Sequence, residues 1–133
     1  MGEEFLAVSH LISIARTVQE LNFRFEKKYD LSLAQWLVLS HLRNLPGCSA
    51  LHLSDALSVH PSSLTPALKR LKRKGLLKVS DDPRDSRRKN LWLTREGAKQ
   101  MESLTPSIRT LFKEINLESM RKMDHLLNQK EQL

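Results

Sequence analysis

The chain has 133 residues, a formal net charge of +7, 40% hydrophobic residues and a single cysteine, Cys48. That length fits one domain, or one compact module with helical extensions, and one cysteine excludes an intramolecular disulfide, as expected in a reducing compartment. No apolar run reaches the ~18 residues of a membrane span, and MGEEFLAVSH is acidic where a secretory signal is basic, so a cytoplasmic location with no membrane attachment is expected.

Few glycines and aromatics, with abundant Leu, Lys, Arg and Glu, point to a mostly α fold. Phe5, Val8, Leu11, Ile12, Ala15, Val18, Leu21 and Phe25 recur at helical spacing. Tyr29-Asp30-Leu31 breaks that helix, and Ser32 with Gln35 forms a capping-box pattern for a second one through Trp36, Leu39, Leu42 and Leu45. Pro46-Gly47 stops it, and Ser49 is placed to cap a short third helix carrying Leu51, Leu53, Ala56 and Leu57. Ser62 or Ser63 is the expected cap of a fourth helix running to Lys74, with Pro66 in or beside its first turn, Leu64, Leu68 and Leu71 on one face, and Gly75 just past its end. Leu77-Lys78-Val79-Ser80 and Leu91-Trp92-Leu93-Thr94 alternate as strands around the charged tip DDPRDSRRKN, which reads as a hairpin. Thr94 can cap a further helix through Met101, Leu104, Ile108, Leu111, Phe112 and Ile115. Pro106 suggests a kink or a restart capped by Thr105, and Asn116 a last helix through Leu117, Met120, Met123, Leu126 and Leu127.

The charge is concentrated. Between His60 and Asn90 ten Lys or Arg residues face three Asp residues, a net of +7, while the rest of the chain is balanced. That is the footprint of a surface for a polyanion. Helix, turn, helix and a two-stranded hairpin with a basic tip make a winged helix-turn-helix, whose second helix points its N-terminal residues at base edges in the DNA major groove. Short side chains at Ser62, Ser63, Thr65 and Pro66 allow close approach, hydrogen bonds to bases or phosphates, and packing on a thymine methyl. Lys69, Arg70 and Arg73 are expected on phosphates, with Lys72 and Lys74 further round the helix. On the hairpin tip, among Arg84, Arg87 and Arg88, an arginine can enter a narrow minor groove, and Asp85 lies close enough to Arg87 to fix its direction.

The blocks LSLAQWLVLSHL, LSDALSVHPSSLTPALKRLKRKGLL and DPRDSRRKNLWLTREG, in that order and spacing, resemble the MarR family of bacterial transcription factors from Leu31 to about Gly97. SSLTPALKRL is similar to the recognition helix of its peroxide-sensing OhrR branch. That branch senses with a cysteine in the first helix, and no cysteine lies between Met1 and Gly47, so its sensing mechanism is not carried over. The resemblance implies dimerisation by an N-terminal helix in residues 1–30 and by C-terminal helices in 98–133. A DNA-binding lobe would span 31–97, with its recognition helix about 62–74 and its wing about 77–94. It further implies a homodimeric repressor on a pseudo-palindromic operator, with Arg87 in the minor groove and release by a small ligand or an oxidant. Relatives take aromatic acids or phenolic drugs in a cleft between the two parts, which Phe25, Tyr29 and Trp36 would line here. An accessory DNA-binding protein controlled by its abundance or by a protein partner, and an RNA-binding winged helix, are the competing readings. Duplex RNA has too deep and narrow a major groove for the 62–74 helix.

Other chemistry finds less support. No Gly-rich phosphate loop, GxSxG or HExxH is present, so no enzyme is expected. His10, His41, His52, His60 and His125 form no paired ligand spacing, and neither a metal nor a cofactor is expected. Cys48 reads more readily as a small buried hydrophobe than as a redox sensor. His60 is expected to touch a phosphate or to cap a turn.

Overall fold

The computed structural model describes residues 2–132, with side chains other than those of 119, 122, 123, 126, 127 and 129–132. The elements in chain order are α1 (Glu3–Tyr29), α2 (Leu33–Asn44), α3 (Ala50–Ala56), α4 (Pro61–Arg73), β1 (Leu77–Asp81), β2 (Lys89–Leu93) and α5 (Arg95–Gln132). They fall into two compact units, Leu31–Leu104 and a helical unit of Met1–Asp30 with Thr105–Leu133. Among the described residues no helix is long and apolar enough to cross a membrane.

In the helical unit, Glu3 and Glu4 open α1 and Lys27 and Lys28 close it, each sign placed to favour the helix dipole, and Asp30 ends the helix in the left-handed region at φ 54°. Leu21, Phe25 and Thr17 are buried. Phe5, Val8, Leu11, Ile12 and Val18 are exposed, so most of the stripe legible in the sequence does not contribute to this chain's core. Arg24 pairs with Glu114 at 3.6 Å, an exposed contact worth under ~1 kcal/mol.

The second half of the chain corrects the sequence reading. Pro106 starts no new helix and Asn116 caps none: α5 is one helix of 38 residues that contains both. The missing proline N–H removes a single rung, and the apolar spacing runs through Met101, Leu104, Ile108 and Leu111 without a phase break, so continuing costs less than restarting. Phe112, Leu117 and Met120 are exposed on α5, whereas Met123, Leu126 and Leu127 lie outside the described side chains.

Unit Leu31–Leu104 is built around leucines. Leu31, Leu39, Leu42, Leu53 and Leu71 have no exposed surface, and Leu64, Leu76, Leu77, Leu91, Met101 and Leu104 close the core around them. Truncating one such leucine to alanine typically costs 2–5 kcal/mol, so α4 is held firmly by Leu64 and Leu71. Ser32 caps α2 through a complete capping box: its Oγ accepts from Gln35 N–H, and Gln35 Oε1 accepts from Ser32 N–H, both at 3.1 Å. Ser32→Ala should therefore lower the unfolding free energy by about 1 kcal/mol, read from the urea midpoint.

The hairpin pairs β1 and β2 antiparallel with Leu77 opposite Leu93, Val79 opposite Leu91 and Asp81 opposite Lys89. A third backbone segment joins it. Gly47 N–H donates to Leu91 C=O and Leu91 N–H to Cys48 C=O, both at 2.8 Å, with Ser49 bridged to Asn90. Gly47 has φ 79°, and a Cβ there would come within 2.7 Å of the Trp92 ring, so both the turn and the indole lying against it require glycine.

Candidate nucleic-acid interface

The first turn of α4 is built differently from the sequence expectation. The cap is His60, neither Ser62 nor Ser63, and Pro61 takes the first helical position, where its missing N–H costs nothing. The helix thus starts two residues earlier, and Pro66 sits in the second turn. Histidine is not a usual cap, but its Nδ1 accepts from Ser62 N–H at 3.1 Å and performs the same task. Ser62, Ser63, Thr65 and Pro66 are all exposed, as are Lys69, Arg70, Lys72 and Arg73, while Lys74 is half-buried at the C-cap.

With Leu64 and Leu71 anchored in the core, helical spacing puts Ser62, Thr65, Pro66, Lys69 and Arg73 in one outward row. The uncharged end of the row and its cationic continuation are therefore on the same face. Between α4 and the hairpin, Thr65, Leu68, Lys69 and Lys72 share a groove of about 350 Å³ with Ala50, Val79, Lys89 and Leu91.

The hairpin tip is organised by its aspartates. Arg84 N–H donates to Asp82 Oδ1 at 2.8 Å, Asp82 N–H to Arg88 C=O at 3.0 Å, and Arg88 N–H to Asp85 C=O at 2.9 Å. Asp85 Oδ1 accepts both the backbone N–H of Arg87 at 3.0 Å and its guanidinium Nε at 3.3 Å. The Arg87 side chain is 91% exposed, so this contact gives the guanidinium a direction and adds little stability. Asp81 and Lys89 pair across the last register position and pin the base of the tip. Arg84 and Arg88 are exposed beside Arg87.

Phe25 and Tyr29 line a cavity of about 420 Å³ in the helical unit, together with Arg24, Lys28, Ser107, Thr110, Leu111 and Glu114. Tyr29 Oη is 2.9 Å from Ser107 Oγ, and that hydrogen bond is the main cause that lowers the phenol's pKa from its usual value. Trp36 does not line this cavity; in the other unit, its indole N–H donates to Met101 C=O at 3.1 Å. Ser107, Thr110 and Glu114 were not legible as site residues, because nothing local in the sequence pairs positions some eighty residues apart. Burial pushes the Cys48 thiol up, away from the thiolate a redox sensor needs. Among the described residues no cluster of His, Cys, Asp or Glu could hold a metal ion.

Residues 31–89, which span α2 to the hairpin tip, match the MarR family model. Over that stretch the chain is similar to the MarR family. The transcriptional regulator HosA of Escherichia coli O111:H- is 32% identical over 77 residues, 58% of this chain and 57% of HosA, so the match spans little more than half the relative's length. Two solved structures align over nearly the whole chain. One is Bordetella bronchiseptica BpsR, described for regulation of its DNA binding by 6-hydroxynicotinic acid, with 26% identity over 94% of this chain and 98% of BpsR at a TM-score of 0.69. The other is the C80S mutant of E. coli MarR complexed with operator DNA, with 25% identity over 95% of this chain and 94% of that one at a TM-score of 0.73. The MarR transcription factor from Planctomyces limnophilus, 21% identical over 96% of this chain and 94% of its own, shares the fold at a TM-score of 0.81. The fold is accordingly the mostly α winged helix-turn-helix of MarR proteins, and these relatives are transcription regulators, not enzymes.

Two substitutions separate holding from directing in this MarR-type lobe. Lys69→Ala should reduce the slope of log affinity against log salt by about 1 on any duplex. Arg87→Ala should weaken binding most at sites with A·T-rich minor grooves; an equal loss on every duplex would reduce Arg87 to a general phosphate contact. Titrations of the variants at two salt concentrations make both comparisons.

Proposed function

We propose that this protein is a homodimeric, sequence-specific regulator of transcription that binds a pseudo-palindromic operator in double-stranded DNA, represses by occluding a promoter, and is released by a small aromatic acid or phenol. The observation that carries the reading is the outward row of α4, an uncharged tip followed by cations, in one compact unit with a wing whose Arg87 is directed by Asp85. In this reading Ser62, Ser63, Thr65 and Pro66 face base edges and Lys69, Arg70 and Arg73 lie on phosphates. Arg84 and Arg88 accompany Arg87 at the minor groove. The complex of the similar E. coli MarR mutant with operator DNA supports the DNA-binding reading.

A second copy is the natural cover for the exposed apolar rows of α1 and α5, since patches of that extent are costly in water. Residues 1–30 and 98–133 would then supply the dimer contacts, and 31–97 the DNA contacts. A ligand is supported by the cavity around Phe25 and Tyr29, with Arg24 and Lys28 at hand for an acid group, and by the regulation of BpsR by 6-hydroxynicotinic acid. Such a ligand would act by changing the spacing of the two recognition helices, which must match successive major grooves. The raised pKa of Cys48 favours a ligand over an oxidant.

Selection of the purified protein against random duplexes tests this. An enriched inverted repeat with half-site centres about 10 bp apart, bound far more tightly than random DNA, is the expected result. Enrichment of nothing, with affinity collapsing as salt rises, would replace it by a nonspecific polyanion binder. If aromatic acids and phenols leave operator affinity unchanged, the accessory DNA-binding protein without a small-molecule switch becomes the better reading.

A further inference from the structure

Hydrogen bonds within the first turns of α4 fix which way its hydroxyl protons point. The backbone N–H of Ser62 donates to Nδ1 of His60 at 3.1 Å. A backbone N–H can only donate, so Nδ1 is the unprotonated nitrogen and a neutral His60 carries its proton on Nε2. Ser62 Oγ lies 2.7 Å from the same Nδ1. Facing an atom with a lone pair and no proton, the hydroxyl is the donor and shares that lone pair with the N–H, so its one proton is used inside the protein. Thr65 repeats this a turn later, where Oγ1 donates to the Pro61 carbonyl at 3.1 Å. Pro66 has no N–H to give to the Ser62 carbonyl four residues earlier. Outward, Ser62 and Thr65 therefore offer lone pairs and no protons, and Pro66 adds only an apolar ring.

We infer that His60, Ser62 and Thr65 make the uncharged end of the outward row of α4, from which Ser63 stands to one side, an acceptor-only edge, which selects operator positions where an exocyclic amino group, adenine N6 or cytosine N4, faces it. The inference rests on the DNA-binding reading above and deepens it. In the major groove guanine presents N7 and O6 and thymine O4, all acceptors. Opposed to this tip they meet lone pairs, unless a hydroxyl gives up its internal bond. Each base pair carries one amino group in that groove, so the tip fixes which strand's base faces it: adenine over thymine, cytosine over guanine. His60 is a positioning residue here. It sets the direction of the Ser62 hydroxyl without needing to touch a base.

The test uses the full-length protein and the inverted repeat it selects. Each adenine in turn is replaced by purine deoxyriboside, and each cytosine by 2-pyrimidinone deoxyriboside, which delete the amino group alone. At one or more positions of each half-site the loss should be roughly 5- to 100-fold, and it should vanish in Ser62→Ala or Thr65→Val, which controls for any weakening of the base pair itself. His60→Ala should admit guanine or thymine opposite Ser62. His60→Asn, whose side-chain oxygen also accepts at an N-cap, should keep the original preference and guards against a merely unfolded His60→Ala. Amino deletions without effect on the wild type, or a sensitivity to 7-deazaguanine that Ser62→Ala and Thr65→Val abolish, would overturn the inference while leaving operator binding in place. Selection of no repeat at all would overturn both.

Discussion

Replacing Gly97 with alanine should lower the unfolding free energy by about 3 kcal/mol. Gly97 lies in the first turn of α5, and a Cβ built on it would stand 2.1 Å from the Leu76 carbonyl oxygen and 2.8 Å from Leu93 Cδ1. The leucine side chain can rotate away, but the carbonyl is backbone at the entry to β1 and cannot. Around it the chain is knotted: Thr94 Oγ1 donates to Gly75 C=O at 2.7 Å and accepts from Gly97 N–H at 3.0 Å, and Thr94 N–H donates to Leu76 C=O at 3.3 Å. An added methyl must push the start of α5 off the hairpin and stretch those bonds together. Gly75→Ala is the comparison, because Gly75 has φ 74° and no atom within 4 Å of its would-be Cβ, leaving only left-handed strain of about 1 kcal/mol. Urea unfolding of the two variants decides. Equal losses would mean that the approach of α5 to Leu76 is not close.

If the proposed dimer forms through α1, Ile12→Glu should turn the protein into a monomer and lower its affinity for an inverted repeat by ~100-fold or more, since the second half-site is no longer bound at high effective concentration. Ile12 is 56% exposed and Leu11 64%, in a row with Phe5 and Val8, so a charge there removes little of the chain's own core. The variant should keep its helical circular dichroism and its weak affinity for a single half-site. Sedimentation equilibrium reads the mass directly. A variant that remains dimeric would place the contact on another surface.

What the sequence discloses is set by the range of the interactions. The capping box of Ser32 and Gln35 spans three residues, uses residue types with few other reasons to stand so spaced, and was legible. The contact between Asp85 and Arg87, two residues apart, was legible for the same reason. The start of α4 was not: two serines compete for the cap, and the histidine that takes it has no cap preference to announce it. Pro106 misled because a proline's local penalty is visible in a sequence, while the apolar phase that carries α5 across it is a property of thirty-eight residues. The link from Gly47 and Cys48 to Leu91 leaves no period at all, since a bridge of two or three residues is too short to alternate. The cavity at Phe25 and Tyr29 was half legible: its aromatic wall is local to α1, and its polar wall comes from α5.

The seating of Trp92 also makes the protein its own optical reporter. Its indole N–H donates to Ser80 Oγ across the hairpin at 2.8 Å, and its ring lies against Gly47 with 40% of the residue exposed. The one other tryptophan, Trp36, is tied to the Met101 carbonyl on α5. Indole emission responds to the polarity and quenchers around the ring, so the two fluorophores report on different neighbourhoods: one on the wing as DNA arrives, the other on the seat of the long C-terminal helix.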